Sequence, residues 1–358
     1  MPDPITCLLA VLAAAGTSAI VVLVLGGPGR PASAARINAA TIAGVGAGLA
    51  AGYGVLQIQP EWPPATGLER FLTIVLPAVI GVELLAVVLR LPQALTLLLR
   101  AGLAISTARI LLHDSVYLRG AGDEPTWRVP LLLALGGTVL AAEWGLLLRL
   151  NRRAPGVSLP LALAASLVCG GAAIMLAGYL AGGEATLPPA AALAGAALAS
   201  AGIGRSAAPG TIGIGLLALF GLLFLGRFFG AVPTGQGLTV LLAPLACWAA
   251  EHPAVKNRRP WATFFLRWGL IAVPLIVVLM LAKRNFERGL GRLMSVESAT
   301  SAQSGELANV KLPVHGLVGH AWPIALGRLR QAGDENGWPS QAPVMRWFSP
   351  CITVSTRL

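Results

Sequence analysis

Glu83 stands near the middle of an apolar run, residues 71–89, that carries no other charge. A carboxylate at that depth in hydrocarbon is costly. Such groups face the protein interior or a water-filled cavity, where they pair with a cation, carry protons or meet a solute. The following run, 94–118, contains Arg100, Arg109, His113 and Asp114. Arg100 and Arg109 are nine residues apart, two and a half helical turns, and point to different sides. Arg109 and His113 are four apart and share a face. The expected pair is therefore Glu83 with Arg109, with His113 and Asp114 nearer the membrane interface. Together Glu83, Arg109, His113 and Asp114 would suit an anionic headgroup, a small solute or proton coupling. The plainer alternative is a glutamate that fixes helix packing beside arginines that snorkel to the interface. Pro77, six residues before Glu83, adds a kink of the kind found beside membrane cavities.

The remaining polar groups are more scattered. Glu143, followed by Trp144, falls toward the basic end of its run and is expected to be solvated there. Arg227 lies among Phe224, Phe228 and Phe229, which suits snorkelling or a cation–π contact. Glu251-His252 precedes Pro253 and reads as a helix end; the alternative is a carboxylate–imidazole pair at a re-entrant tip. There is no HExxH, Walker A, GxSxG or DDxxD string. The four cysteines form neither a CxxC nor a cysteine–histidine cluster, and His315 and His320 lack metal-ligand company. No metal or cofactor is expected.

The elements that must position these residues are membrane helices. Of 358 residues, 56% are apolar and only 11% charged, whereas about 25% charged is normal for soluble domains. Each crossing needs about 20 apolar residues in a helix. The runs are 5–26, 39–58, 71–89, 94–118, 129–149, 158–181, 187–204, 211–229, 237–251 and 263–282. They are continuous rather than alternating, which excludes a β-barrel. The expected fold is all-α, a polytopic bundle of nine or ten transmembrane helices over residues 1–284. Three runs are weak: 94–118 for its charges, 187–204 for its Ala/Gly content, and 237–251 for its length, which suits a re-entrant segment. Pro244 interrupts the last of these, and Pro274 the run 263–282.

Gly44, Gly48 and Gly52 are spaced at four, so one helix face is smooth enough for another backbone to approach closely. The letters of Gly46-Ala47-Gly48-Leu49-Ala50-Ala51 also fit a dinucleotide fingerprint, but that motif needs a preceding strand and a βαβ unit. The reading is packing. Gly195 and Ala199 read the same way.

The net charge of +11 would suggest nucleic acid in a soluble domain. Here the Lys and Arg residues flank apolar runs, as topology signals and headgroup contacts do; nucleic acid is not expected as a partner. In a ten-span count Arg30, Arg36, Arg90, Arg149, Arg152, Arg153, Arg205, Lys256, Arg258 and Arg259 share one side, the cytoplasmic one by the positive-inside rule. Lys283, Arg284, Arg288 and Arg292 would then fall on the other side, against it. Met1-Pro2-Asp3-Pro4 lacks the positive region of a signal peptide, so the first run reads as a retained helix.

Residues 285–358 read as a polar, disordered tail. A second reading is that 313–358, which lack any periodicity, are not the natural end of the gene. The functional expectation is a bacterial inner-membrane protein that binds or transports a small solute or lipid, within the bilayer and in company with other membrane proteins. The alternatives are a non-transporting scaffold or assembly subunit and, least favoured, an intramembrane enzyme, which needs Glu83, Arg109, His113, Asp114 and Glu251 to converge.

Overall fold

Backbone N–H and C=O groups find no partners in hydrocarbon, so each apolar run must pair its own. All ten runs contain helix in the computed structural model, which describes residues 3–27, 33–113, 115, 128–153, 156–204, 209–251 and 265–288. In chain order these are α1 (Pro4–Gly26), α2 (Ala34–Val55), α3 (Gly67–Val88), α4 (Gln93–Leu111), α5 (Arg128–Arg153), α6 (Ser158–Leu176), α7 (Leu180–Gly202), α8 (Pro209–Phe229), α9 (Thr234–Leu242) and α10 (Phe265–Arg288). A 3-10 stretch, Ala243–Glu251, continues from α9. Among the described residues there is no strand. Eight of the helices are long and apolar enough to cross a bilayer: α1, α3, α4, α5 from Leu133, α6, α7, α8 and α10. The chain is a polytopic helical membrane protein.

The two remaining segments have separate explanations. Helix α2 is long enough, but its Ala/Gly content keeps its apolarity low. Helix α9 and its 3-10 continuation are nine residues each. At about 1.5 and 2.0 Å per residue their contour is about 32 Å, close to the hydrocarbon thickness of about 30 Å. The second residue of the 3-10 half is Pro244, which cannot donate a backbone hydrogen bond.

Helix α8 is the centre of the bundle. Of its most apolar stretch 78% is buried, against 22% for α1 and α10. Around α8 lie α2, α3, α4, α5, α6, α7 and α9. Helix α7, weak by apolarity, is second in burial at 72%. Its small residues substitute close backbone approach for bulk.

Helix α1 packs against both α2 and α7, and the glycine stripe is what admits it. A Cβ on Gly48 would stand 2.5 Å from the Ala14 carbonyl oxygen, one on Gly44 2.9 Å from that of Ser18, and one on Gly52 3.0 Å from the Ala14 Cβ. From the other side, a Cβ on Gly195 would collide with the Ala15 carbonyl. Ser18 Oγ, fully buried, donates to the Ala192 carbonyl at 2.9 Å. Tyr53 Oη donates to the Ala185 carbonyl at 2.8 Å, tying α2 to α7.

Helix α3 begins at Gly67 under a capping box from Thr66 and Glu69. Pro77 has no N–H, and its ring excludes the carbonyl four residues back. The chain answers with a π turn over Phe71–Val75, in which Leu76 N–H donates to the Phe71 carbonyl. Pro77 thus displaces the register of α3 just ahead of Glu83.

Met1–Arg292 forms one compact unit. Helix α10 runs to Arg288, so residues 285–288, expected to open the tail, are helical. The expected tail beyond Arg288, with His315 and His320, lies outside the described residues.

Candidate functional site

Helices α3 and α4 form a hairpin through residues 89–92. In an antiparallel pair, residues equally far from the turn stand side by side. Glu83 is five residues before the end of α3, about 7.5 Å, and Arg100 is seven into α4, about 10.5 Å. Arg109 is sixteen into α4, about 24 Å. The structure accordingly pairs Glu83 with Arg100. Nε of Arg100 donates to Oε1 at 2.7 Å and Nη2 to Oε2 at 2.6 Å. The expected Glu83–Arg109 pair is overturned by this geometry.

Both members of the pair are withdrawn from solvent. The Glu83 side chain is 1% exposed and that of Arg100 13%. Arg100 is the polar partner of the carboxylate, and two other elements close around the pair. The first is α8, whose first two turns lie against the carboxylate. A Cβ on Gly210 would be 3.2 Å from Oε2, and one on Gly213 2.7 Å from Oε1. Glycine at both positions lets the helix start approach, and that end of a helix carries partial positive charge. The second is α5. Trp144, 1% exposed, borders the same space beside Gly213, where an added Cβ would overlap its Cζ2. The Arg100 guanidinium carbon is 5.7 Å from the centroid of the Trp144 ring, within cation–π reach. Ile42 of α2 closes the top, its Cδ1 2.6 Å from where a Gly210 Cβ would stand. Five helices therefore meet at one bidentate ion pair.

The other expected site residues lie elsewhere. Arg109 is exposed in the last turn of α4, in keeping with snorkelling. His113 is exposed just beyond that helix, and its carbonyl accepts from Nη1 of Arg70 at the start of α3. Asp114 lies outside the described residues. Arg227 donates from Nε to Thr234 Oγ1 at 2.9 Å, bracing the turn from α8 to α9. Glu251 accepts from Nη2 of Arg267 on α10, whose Nη1 donates to Ser158 Oγ at 3.3 Å. That ion pair takes up the carboxylate once considered for His252, which lies outside the described residues. Nearby, the Arg153 guanidinium sits 5.2 Å from the ring centroid of Trp248. Glu83, Arg109, His113 and Glu251 do not converge.

Glu143 also departs from expectation. It is 2% exposed, not solvated, because Leu140 and Leu147, one turn to either side, place it on the packed face of α5. Neither of its carboxylate oxygens has a hydrogen-bond partner. Helical spacing among the leucines of 129–149 carried the signal for this burial. The closeness of Arg149 and Arg152 obscured it.

An apolar groove between α6 and α10 is lined by Val168, Cys169, Ala172, Trp268, Ile271 and Leu275. The Glu83–Arg100 pair does not border it. Cys169 Sγ reaches the Leu275 carbonyl at 3.4 Å there, pinning α10 to α6. Among the described residues no group of three or more His, Cys, Asp and Glu side chains gathers as a metal site would need. No protein-family profile matches the chain, and neither a curated protein nor a solved structure does.

Proposed function

We propose that the bundle binds, and carries across a bacterial cytoplasmic membrane, a small solute or lipid bearing an anionic group. Arg100 is the residue that recognises it. The supporting observation is the bidentate seat itself. An arginine fork together with the first turn of a helix is a combination suited to carboxylate and phosphate. Here Glu83 occupies that seat from within the chain. In this reading Glu83 is an internal substitute for the ligand. Its displacement releases α3 from α4 beside the displaced register at Pro77.

The test is flux in reconstituted vesicles, with labelled inorganic phosphate, acetate and phosphatidylglycerol as probes. Wild-type protein moves at least one of them, and Arg100→Gln moves none. Equal movement by wild type and Arg100→Gln, or by neither, contradicts the proposal.

The closed packing around Glu83 favours one other reading, a non-transporting scaffold in which the pair only locks five helices together. That reading expects a stable partner protein to co-purify. It also expects anions to bind with no dependence on Arg100.

A further inference from the structure

The interior of the bundle is unevenly charged. Glu83 and Glu143 are its buried acids among the described residues. The Arg100 guanidinium gives two of its three nitrogens, Nε and Nη2, to Glu83. Glu143 is left with two unpartnered oxygens.

Its surroundings follow from helix geometry. Gly136 and Glu143 are seven apart, two turns, and share a face of α5. A Cβ on Gly136 would be 3.9 Å from Phe220 of α8, and Trp144 abuts Gly213 of the same helix. Glu143 thus looks toward α8 and not toward lipid. Among the elements packed against α5 are α4, α8 and the 3-10 stretch. Helix α4 offers Arg100, which pairs with Glu83 and makes no hydrogen bond to Glu143, and Arg109, exposed near its far end. Helix α8 offers Arg227, exposed near its C-terminal end and bonded to Thr234. The 3-10 stretch offers the buried thiol of Cys247, and Glu251, which Arg267 holds. On α5 itself Arg149, Arg152 and Arg153 are exposed toward the C-terminal end.

We infer that Glu143 is a proton-binding site inside the bundle, holding one proton that balances the second interior carboxylate. A bare carboxylate in an apolar interior is neutralised more cheaply than it is left charged. A metal cation would need several oxygen ligands. No cluster of three or more acidic, histidine or cysteine side chains assembles among the described residues. A proton needs only one oxygen. The assignment concerns binding and stands apart from the anion reading, since it holds whether or not anything is transported.

Infrared spectroscopy of the purified full chain in lipid nanodiscs tests it. Wild-type protein shows a protonated-carboxyl C=O band at neutral pH that shifts in deuterated water. Glu143→Gln loses that band, Glu83→Gln keeps it, and sodium or potassium leaves it unchanged. Persistence of the full band in Glu143→Gln overturns the inference, as does its loss from wild type on adding sodium or potassium. Glu143→Met gives a second neutral variant with the same readout. If neither neutral variant folds, the charged form is the one the bundle requires, and the inference again fails.

Discussion

At the scale of residues, the Glu83–Arg100 pair is asymmetric, and that makes it testable by a double-mutant cycle. Removing one member strands the other in a dry interior, which costs about 3–5 kcal/mol. Glu83→Gln and Arg100→Gln are each expected to lower thermal stability in detergent to that extent. The double neutral variant recovers most of the loss, because no unpaired charge remains. The swapped variant, Glu83→Arg with Arg100→Glu, does not recover it. The swap puts a cation against the first turn of α8, where the helix dipole favours an anion by up to about 2 kcal/mol. Recovery by the swap would mean that α8 contributes nothing to the seat. The partner of Glu83 was readable from the sequence, but only through the hairpin. Side-chain type made Arg100 and Arg109 equal candidates, and the face shared with His113 favoured the wrong one. Distance from the turn separates them by about 13 Å.

At the scale of elements, two glycine positions on α8 decide whether the site can exist. Trp144 and Glu83 both crowd the Cβ position of Gly213 and leave no room for a methyl group. Gly213→Ala is expected to destabilise the protein by about 1–3 kcal/mol, the usual cost of overpacking. Gly81→Ala on α3 is the control, since nothing lies within 4 Å of its Cβ position. There the gain in helix propensity leaves stability equal or higher by up to about 1 kcal/mol. Melting curves of the two variants in one detergent compare them directly, and equal losses would contradict the geometry. The Gly44, Gly48 and Gly52 stripe was legible because four-residue spacing is a local property of one helix. Gly210 and Gly213 were not, since their meaning depends on a carboxylate and an indole from two other helices.

At the scale of the whole molecule, hydropathy located all ten helical segments, because the need to pair backbone groups in lipid acts on each segment separately. It could not rank them by position. The Ala/Gly-rich α7 is among the most buried, while the strongly apolar α1 and α10 lie at the periphery. In a bilayer both an apolar surface and a dry interior are apolar, so composition does not distinguish outside from inside. What does distinguish this interior is polar: the buried Glu83–Arg100 pair and the buried Glu143. The most direct test is to titrate inorganic phosphate, acetate and detergent-dispersed phosphatidylglycerol into wild type, Glu83→Gln and the Glu83→Gln/Arg100→Gln double variant, following binding calorimetrically. With the internal carboxylate gone, Glu83→Gln should bind at least one of these anions roughly tenfold more tightly than wild type, about 1.4 kcal/mol, and the double variant should bind none. Glu83→Gln binding no more tightly than wild type, or the double variant binding equally well, would contradict the account.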